Sequence, residues 1–182
     1  MSAIHKIASG ATTVISTLAG YIAVVALAFL IASATIDVAY RTVTGSSLFY
    51  GLLEYGEAAL VVLAFFGSIR TQYSNGHVSS TLVTSKLSPK LRGWIRAVSL
   101  FLVAVLLVWA AYASGAAAIK SFHSGEVRFG LVRIPLWPIR SVVPVSFGLM
   151  SVLLMRQAWD YFQIATGRIA FEPTEEATEL SI

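Results

Sequence analysis

The chain contains no cysteine. Disulfides, thiol redox chemistry, cysteine-ligated zinc and iron–sulfur clusters are therefore excluded as features of its own residues. Charge is scarce as well: 12% of the 182 residues are Asp, Glu, Lys or Arg, against about 25% in soluble domains. Hydrophobic residues make up 57% of the sequence, and the mean hydropathy is +0.77. A water-soluble domain of this length could not hide that much apolar surface. Histidine is rare, and His5, His77 and His123 all lie outside the long apolar runs. A haem inside a helical bundle needs histidines facing each other within it, so a haem-bearing redox anchor is a poor fit. There is no Gly-rich phosphate loop, no serine nucleophile elbow and no HExxH zinc motif. Each of those chemistries needs its residues at a set spacing. The chain is not expected to be an enzyme, and no cofactor or metal is expected.

Apolar runs are what the sequence has in abundance. The first, residues 11–36, holds 26 residues without a formal charge. A secretory signal core is only about 7–15 residues long. As a helix the run reaches roughly 39 Å, enough to cross a hydrocarbon core of about 30 Å. Backbone amides in hydrocarbon need internal partners, so a span is a helix or a closed barrel strand. Barrel strands alternate polar and apolar over about 10 residues, and these runs are continuous. The expectation is an all-α integral membrane four-helix bundle. Its helices should cover about 11–36, 49–69, 89–119 and 138–161, within one domain over 1–170. An acidic tail, 171–182, carries Glu172, Glu175, Glu176 and Glu179 with little to bury, and is expected to be mobile.

Local signals punctuate this plan. Asp37 and Arg41 stand four residues apart and can pair at the membrane surface. Thr44 to Ser47 reads as a turn, and Asn75-Gly76 marks another. The stretch 77–87 suits a short interfacial helix. Ser88-Pro89 reads as an N-cap followed by proline at the first helical position. Ala110, Ser114 and Ala118, with Ala111 and Gly115 beside them, form a small-residue repeat that favours close helix packing in lipid. Gly125 and Gly130 break the loop before the last helix. Pro144 is expected near the start of that helix, where a missing amide donor costs least.

Four spans put both termini and the middle loop on one side. That side carries Lys6, Arg70, Lys86, Lys90, Arg92, Arg96, Arg156 and Arg168; the other carries Arg41, Lys120, Arg128, Arg133 and Arg140. Cationic loops stay in the cytoplasm, so both termini are expected there. The net charge of +4 and pI near 9.6 thus reflect membrane orientation and contact with lipid, not nucleic-acid binding. Glu54 and Glu57 are the acidic groups expected within a span. A deep position would suit a proton or cation relay. A carboxylate costs about 2.5–3.5 kcal/mol at the centre of a spanning helix and less near an interface. The favoured reading therefore places both at the outer end of helix two, paired with Arg41, Arg140 or a partner subunit. His77, alone after its turn, reads as an interfacial hydrogen-bonding group.

Three stretches also carry a family resemblance. They are Leu53-Glu54 through Phe65-Phe66-Gly67 with Arg70; Gly76-His77-Val78 leading into Lys86-Leu87-Ser88-Pro89-Lys90-Leu91-Arg92; and Ile134-Pro135-Leu136-Trp137-Pro138. In order and spacing, over roughly Asp37 to Arg156, the chain resembles the small membrane subunit of TRAP transporters, the tripartite ATP-independent periplasmic family. Leu53 and Thr81 depart from it where acidic residues are common, and Glu57 stands where a basic or neutral residue is usual. The resemblance implies a multi-pass protein of the bacterial inner membrane. It implies a large permease subunit as partner, carrying the substrate and sodium sites. It further implies a periplasmic substrate-binding protein that delivers an organic acid for ion-coupled uptake. The small subunit would then be a scaffold, with Arg41, Glu54, Glu57, Gly67, His77, Pro135 and Arg140 as interface or structural positions. The alternative is a small proton-coupled multidrug exporter using Glu54 and Glu57. Inverted repeats and broken helices, the usual marks of a carrier core, are not evident.

Overall fold

The computed structural model describes residues 3–48, 50–74, 88–128, 130 and 132–166. His5 as a side chain, His77, the stretch 77–87 and the acidic tail 171–182 fall outside the described residues. Among the described residues there are four helices: α1 (Ala3–Thr44), α2 (Leu52–Tyr73), α3 (Pro89–Ser124) and α4 (Trp137–Ala165). All four are long and apolar enough to cross a membrane. The architecture is thus all-α with four candidate spans. Between α3 and α4 lies a short antiparallel ribbon, β1 (Val127–Arg128) and β2 (Ile134–Pro135), which pairs Val127 with Pro135 and Arg128 with Ile134.

The helix limits differ from the hydropathy runs for physical reasons. α1 continues eight residues past Ile36 to Thr44, because a helix needs backbone hydrogen bonds and not apolar side chains once it reaches the headgroups. The Asp37–Arg41 pair supports this extra length, and Gly45 ends it at φ 74. α2 starts at Leu52 and not near 49, since its N-cap, Gly51, sits in the left-handed region at φ 83. Ser88 caps α3 by accepting a hydrogen bond from the Leu91 amide at 3.4 Å, with Pro89 behind it. Gly125 closes that helix at φ 60. Pro144 lies inside α4 and not at its start, which lies at Trp137. Proline leaves the carbonyl four residues back without its helical donor, a defect that membrane helices tolerate through local adjustment.

The helices pack in a row, α1 on α2, α2 on α4 and α4 on α3. α1 and α3 form the flanks. Each flank attaches by a narrow seam. On α1 the inward positions are Thr12, Ser16, Ala19, Ala23, Ala26, Leu30, Ser33 and Asp37. On α3 they are Gly93, Ala97, Leu100, Ala104, Leu107, Ala111, Ser114, Ala118 and Ser121. Alternating steps of four and three average 3.5 residues, the period that keeps one stripe on a neighbour in left-handed packing. Most seam residues are small, so the backbones approach closely. A Cβ added at Gly93 would stand 3.1 Å from the backbone nitrogen of Ala165, and one at Gly115 would stand 3.8 Å from Pro144. The small-residue repeat predicted on α3 does form part of its seam.

Candidate functional site

The chemistry-bearing side chains gather at one rim, where α1 and α3 end and α2 and α4 begin. Asp37 organises the first part. Its side chain is 1% exposed. It accepts hydrogen bonds from Arg41 at 2.7 Å, from the Ser47 hydroxyl at 2.6 Å and from the Leu48 amide at 2.9 Å. One carboxylate thus holds the end of α1 and the turn that leads into α2.

The ribbon forms the second part. It folds over the start of α2. Arg128 pairs with Glu57. Glu54, buried at 6% exposure, lies directly beneath Gly130, where any side chain would collide with its carboxylate. Val132 sits over Gly51, and a Cβ there would lie 2.5 Å from Val132 Cγ2. Both acidic residues occupy the first two turns of α2, where negative charge suits the helix dipole. Behind the ribbon, Arg140 donates to both oxygens of Glu126 at 2.5 and 3.0 Å, a two-pronged pair. Leu136 donates its amide to the Glu126 carbonyl at 3.0 Å, which ties the last turn before α4 to the end of α3.

The expected pairings of Glu54 or Glu57 with Arg41 or Arg140 are therefore replaced by others. Arg41 goes to Asp37, Arg140 goes to Glu126, and Glu57 takes Arg128. Pro135 lies in β2 at the same rim. Gly67 does not: it faces Ala23 across the α1–α2 contact, where a Cβ would stand 3.9 Å from the Ala23 methyl. His77 falls outside the described residues.

One comparison with known proteins is positive. Residues 30–163 match the family model described as "Tripartite ATP-independent periplasmic transporters, DctQ component". The chain belongs to this DctQ family. Comparison with curated proteins and with solved structures gives no match. Family membership makes the chain a TRAP small permease subunit and a multi-pass membrane protein, within a family of transporter components. The matched part of this DctQ chain runs from the second half of α1 nearly to the end of α4, and so contains the whole hairpin rim. Sequence reasoning left Asp37, Gly51, Glu126, Arg128 and Gly130 out of the candidate set. Gly51 and Gly130 had a signal: each stands within a few residues of an acidic group, at a point where the chain must turn.

Proposed function

We propose that the chain is a non-catalytic scaffold in the bacterial inner membrane, bracing the large permease subunit of a TRAP transporter. In this reading the large subunit carries an organic acid, delivered by a periplasmic binding protein, together with the coupling ion. The family match over residues 30–163 carries the proposal. The packing is consistent with it. Glu54 and Glu57 sit at a rim beneath the ribbon, whereas a proton-coupled exporter needs a carboxylate deep between helices. The flanking seams are mainly Ala, Leu and Ser, which suits rigid packing more than a hydrated pathway. Arg41, Glu54, Glu57, Gly67, Pro135 and Arg140 then serve structure, and His77 an interface. Residues 1–170 act as one membrane domain with both termini in the cytoplasm. The hairpin rim then faces the periplasm, where a binding protein arrives.

Reconstitution tests the role. Proteoliposomes holding both membrane subunits, supplied with the binding protein and an ion gradient, should accumulate the organic acid. Transport by this chain alone would overturn the reading. Orientation is tested separately, because the chain has no cysteine. Arg133→Cys should react with a membrane-impermeant maleimide from the periplasmic side. Reaction only after the cytoplasmic face is opened would reverse the topology.

A further inference from the structure

At the end of the bundle away from the hairpin rim, a half-open cavity of ≈ 250 Å³ lies among α1, α2 and α4. Thr12, Tyr73, Leu153, Arg156, Gln157 and Asp160 line it. Its volume is several times the roughly 30 Å³ that one liquid water occupies. Its depth follows from the sequence. Thr12 is the second residue of the uncharged run on α1, and Tyr73 ends α2. Both stand where apolar spans give way to headgroups. Leu153 lies one turn deeper on α4 than Arg156 and Gln157. The cavity is thus apolar at its inner end and polar at its outer end. The Tyr73 hydroxyl is tied to the Thr13 hydroxyl at 2.7 Å, which holds the ring as a wall.

Two arginines from different helices converge on one strip of α1 at this cavity. Arg156 of α4 approaches the Thr12 hydroxyl at 3.5 Å, and Arg70 of α2 approaches the Ser16 hydroxyl at 3.5 Å. Thr12 and Ser16 are one turn apart, about 6 Å along the axis. Neither guanidinium is well met. A charge-assisted bond from nitrogen to oxygen is about 2.7–2.9 Å long. The ion pair of Arg156 with Asp160 is 3.8 Å long, and the Arg156 side chain is only 19% exposed, so water makes up little of the shortfall. Among the described residues, Arg70 has the Tyr73 ring at 5.9 Å and no ion pair. At the hairpin rim, by contrast, Arg41 and Arg140 reach carboxylates at 2.7 and 2.5 Å.

A poorly paired cation away from water is costly, and two beside one strip repel each other. An oxyanion between them answers both demands. The planar guanidinium fork matches phosphate oxygens two at a time. We propose that this cavity binds the phosphate of an anionic phospholipid, held by Arg156 and Arg70. Three features favour a lipid over a soluble anion. The site lies at headgroup depth, where basic pockets between membrane helices take lipid headgroups. Leu153 at its inner end offers an apolar surface, which a free ion does not use. Arg70, Arg156 and Asp160 together leave one positive charge, which the single phosphodiester of phosphatidylglycerol balances. A zwitterionic lipid would bring its own ammonium group to two arginines.

Native mass spectrometry of the full chain in detergent, titrated with phosphatidylglycerol, tests this. One phosphatidylglycerol should stay bound under activation that strips phosphatidylcholine. Arg156→Gln should weaken that binding about tenfold, the worth of one charge-assisted hydrogen bond. Arg70→Gln should weaken it about threefold, since Arg70 is exposed and water screens it. Arg133→Gln, on the exposed ribbon, should leave it unchanged. Thermal unfolding gives a second readout that a purely structural arginine would not produce. Without lipid, Arg156→Gln should melt with the unaltered chain; with phosphatidylglycerol, it should lose the rise that the unaltered chain gains. A lower lipid-free melting temperature with that rise intact overturns the proposal. So does binding by Arg156→Gln and Arg70→Gln equal to that of the unaltered chain, or equal binding of phosphatidylcholine. Inorganic phosphate that stabilises as much as phosphatidylglycerol would make this a soluble-anion site and overturn the lipid assignment. If Arg156→Gln does not fold, Arg70→Gln decides: unchanged binding there overturns the proposal, and the threefold loss supports it.

Discussion

At the hairpin rim a single buried carboxylate, Asp37, accepts three hydrogen bonds between 2.6 and 2.9 Å. At the opposite rim several of the charged contacts are longer. Arg156 stands 3.8 Å from Asp160 and 3.5 Å from the Thr12 hydroxyl, and Arg70 stands 3.5 Å from the Ser16 hydroxyl. The hairpin rim ties loops onto helix ends with short, charge-assisted bonds and glycines that exclude side chains. Among the described residues, the opposite rim joins helices through side-chain contacts that include Gln72 to Gln157 at 2.8 Å and Arg96 to Tyr161 at 2.7 Å. Gln157 also lines the half-open cavity of ≈ 250 Å³, together with Thr12, Tyr73, Leu153, Arg156 and Asp160. Short bonds to backbone allow one arrangement, whereas side-chain pairs around open space can exchange partners. Among the described residues, one end of the row is therefore held by short bonds from a carboxylate to a turn, and the other by contacts between helix side chains.

The sharpest way to break this contrast is at Asp37. Asp37→Ala removes a buried carboxylate that accepts from Arg41, the Ser47 hydroxyl and the Leu48 amide, so it should cost about 3 kcal/mol. Thermal unfolding in detergent reads the loss. A melting temperature unchanged within error would mean that the hairpin rim is no firmer than the other. The next effect belongs to Gly51. Gly51→Ala places a Cβ against Val132 and forces a side chain into the left-handed region, for about 2 kcal/mol. In the double variant with Val132→Ala the clash goes and the backbone strain stays, so roughly 1 kcal/mol should remain. Full recovery in that double variant would assign the whole cost to sterics.

These positions also mark how far the sequence could be read. The Asp37–Arg41 pair was legible because both residues lie on one helix face, one turn apart. The cap at Ser88-Pro89 was legible because it depends only on neighbours. The membrane class followed from continuous apolar runs, which no soluble core requires. The pairing of Arg128 with Glu57 was not legible. It joins a loop late in the chain to an early helix, and several acids and bases of that loop were equally plausible partners. Gly130 could be read as a breaker, but its use as a lid over Glu54 depends on where the ribbon lands. The seam on α3 was half visible: Ala110, Ser114 and Ala118 follow a spacing of four. The alternating four and three that carries the contact back to Gly93 emerges only when α4 is known to lie alongside.

Glu57 offers a milder test of the hairpin rim. Its pair with Arg128 is partly exposed, 38% and 44% for the two side chains. Partly exposed pairs contribute about 0.2–1 kcal/mol and weaken with salt. Glu57→Gln should therefore lower stability by less than about 1 kcal/mol, and the difference should shrink in high salt. A salt-independent loss several times larger would show that the ribbon is clamped mainly through this pair and not through the packing of Val132 on Gly51.

The smallest effect is expected across the molecule, at Gln157. Its amide donates to the Gln72 carbonyl at 3.2 Å and its side-chain oxygen accepts from the Gln72 amide. It thus ties α2 to α4 by two hydrogen bonds beside the cavity. Interhelical hydrogen bonds in lipid average only about 0.6 kcal/mol, because the separated helices find other partners. Gln157→Leu should therefore lower stability by about that much, and the added apolar contact with Leu153 on the next turn offsets part of it. The two rims then differ about fivefold in the cost of losing one polar side chain, Asp37 against Gln157. If Gln157→Leu proves as damaging as Asp37→Ala, the cavity end is as firmly specified as the ribbon end. The contrast between the two rims would then fall.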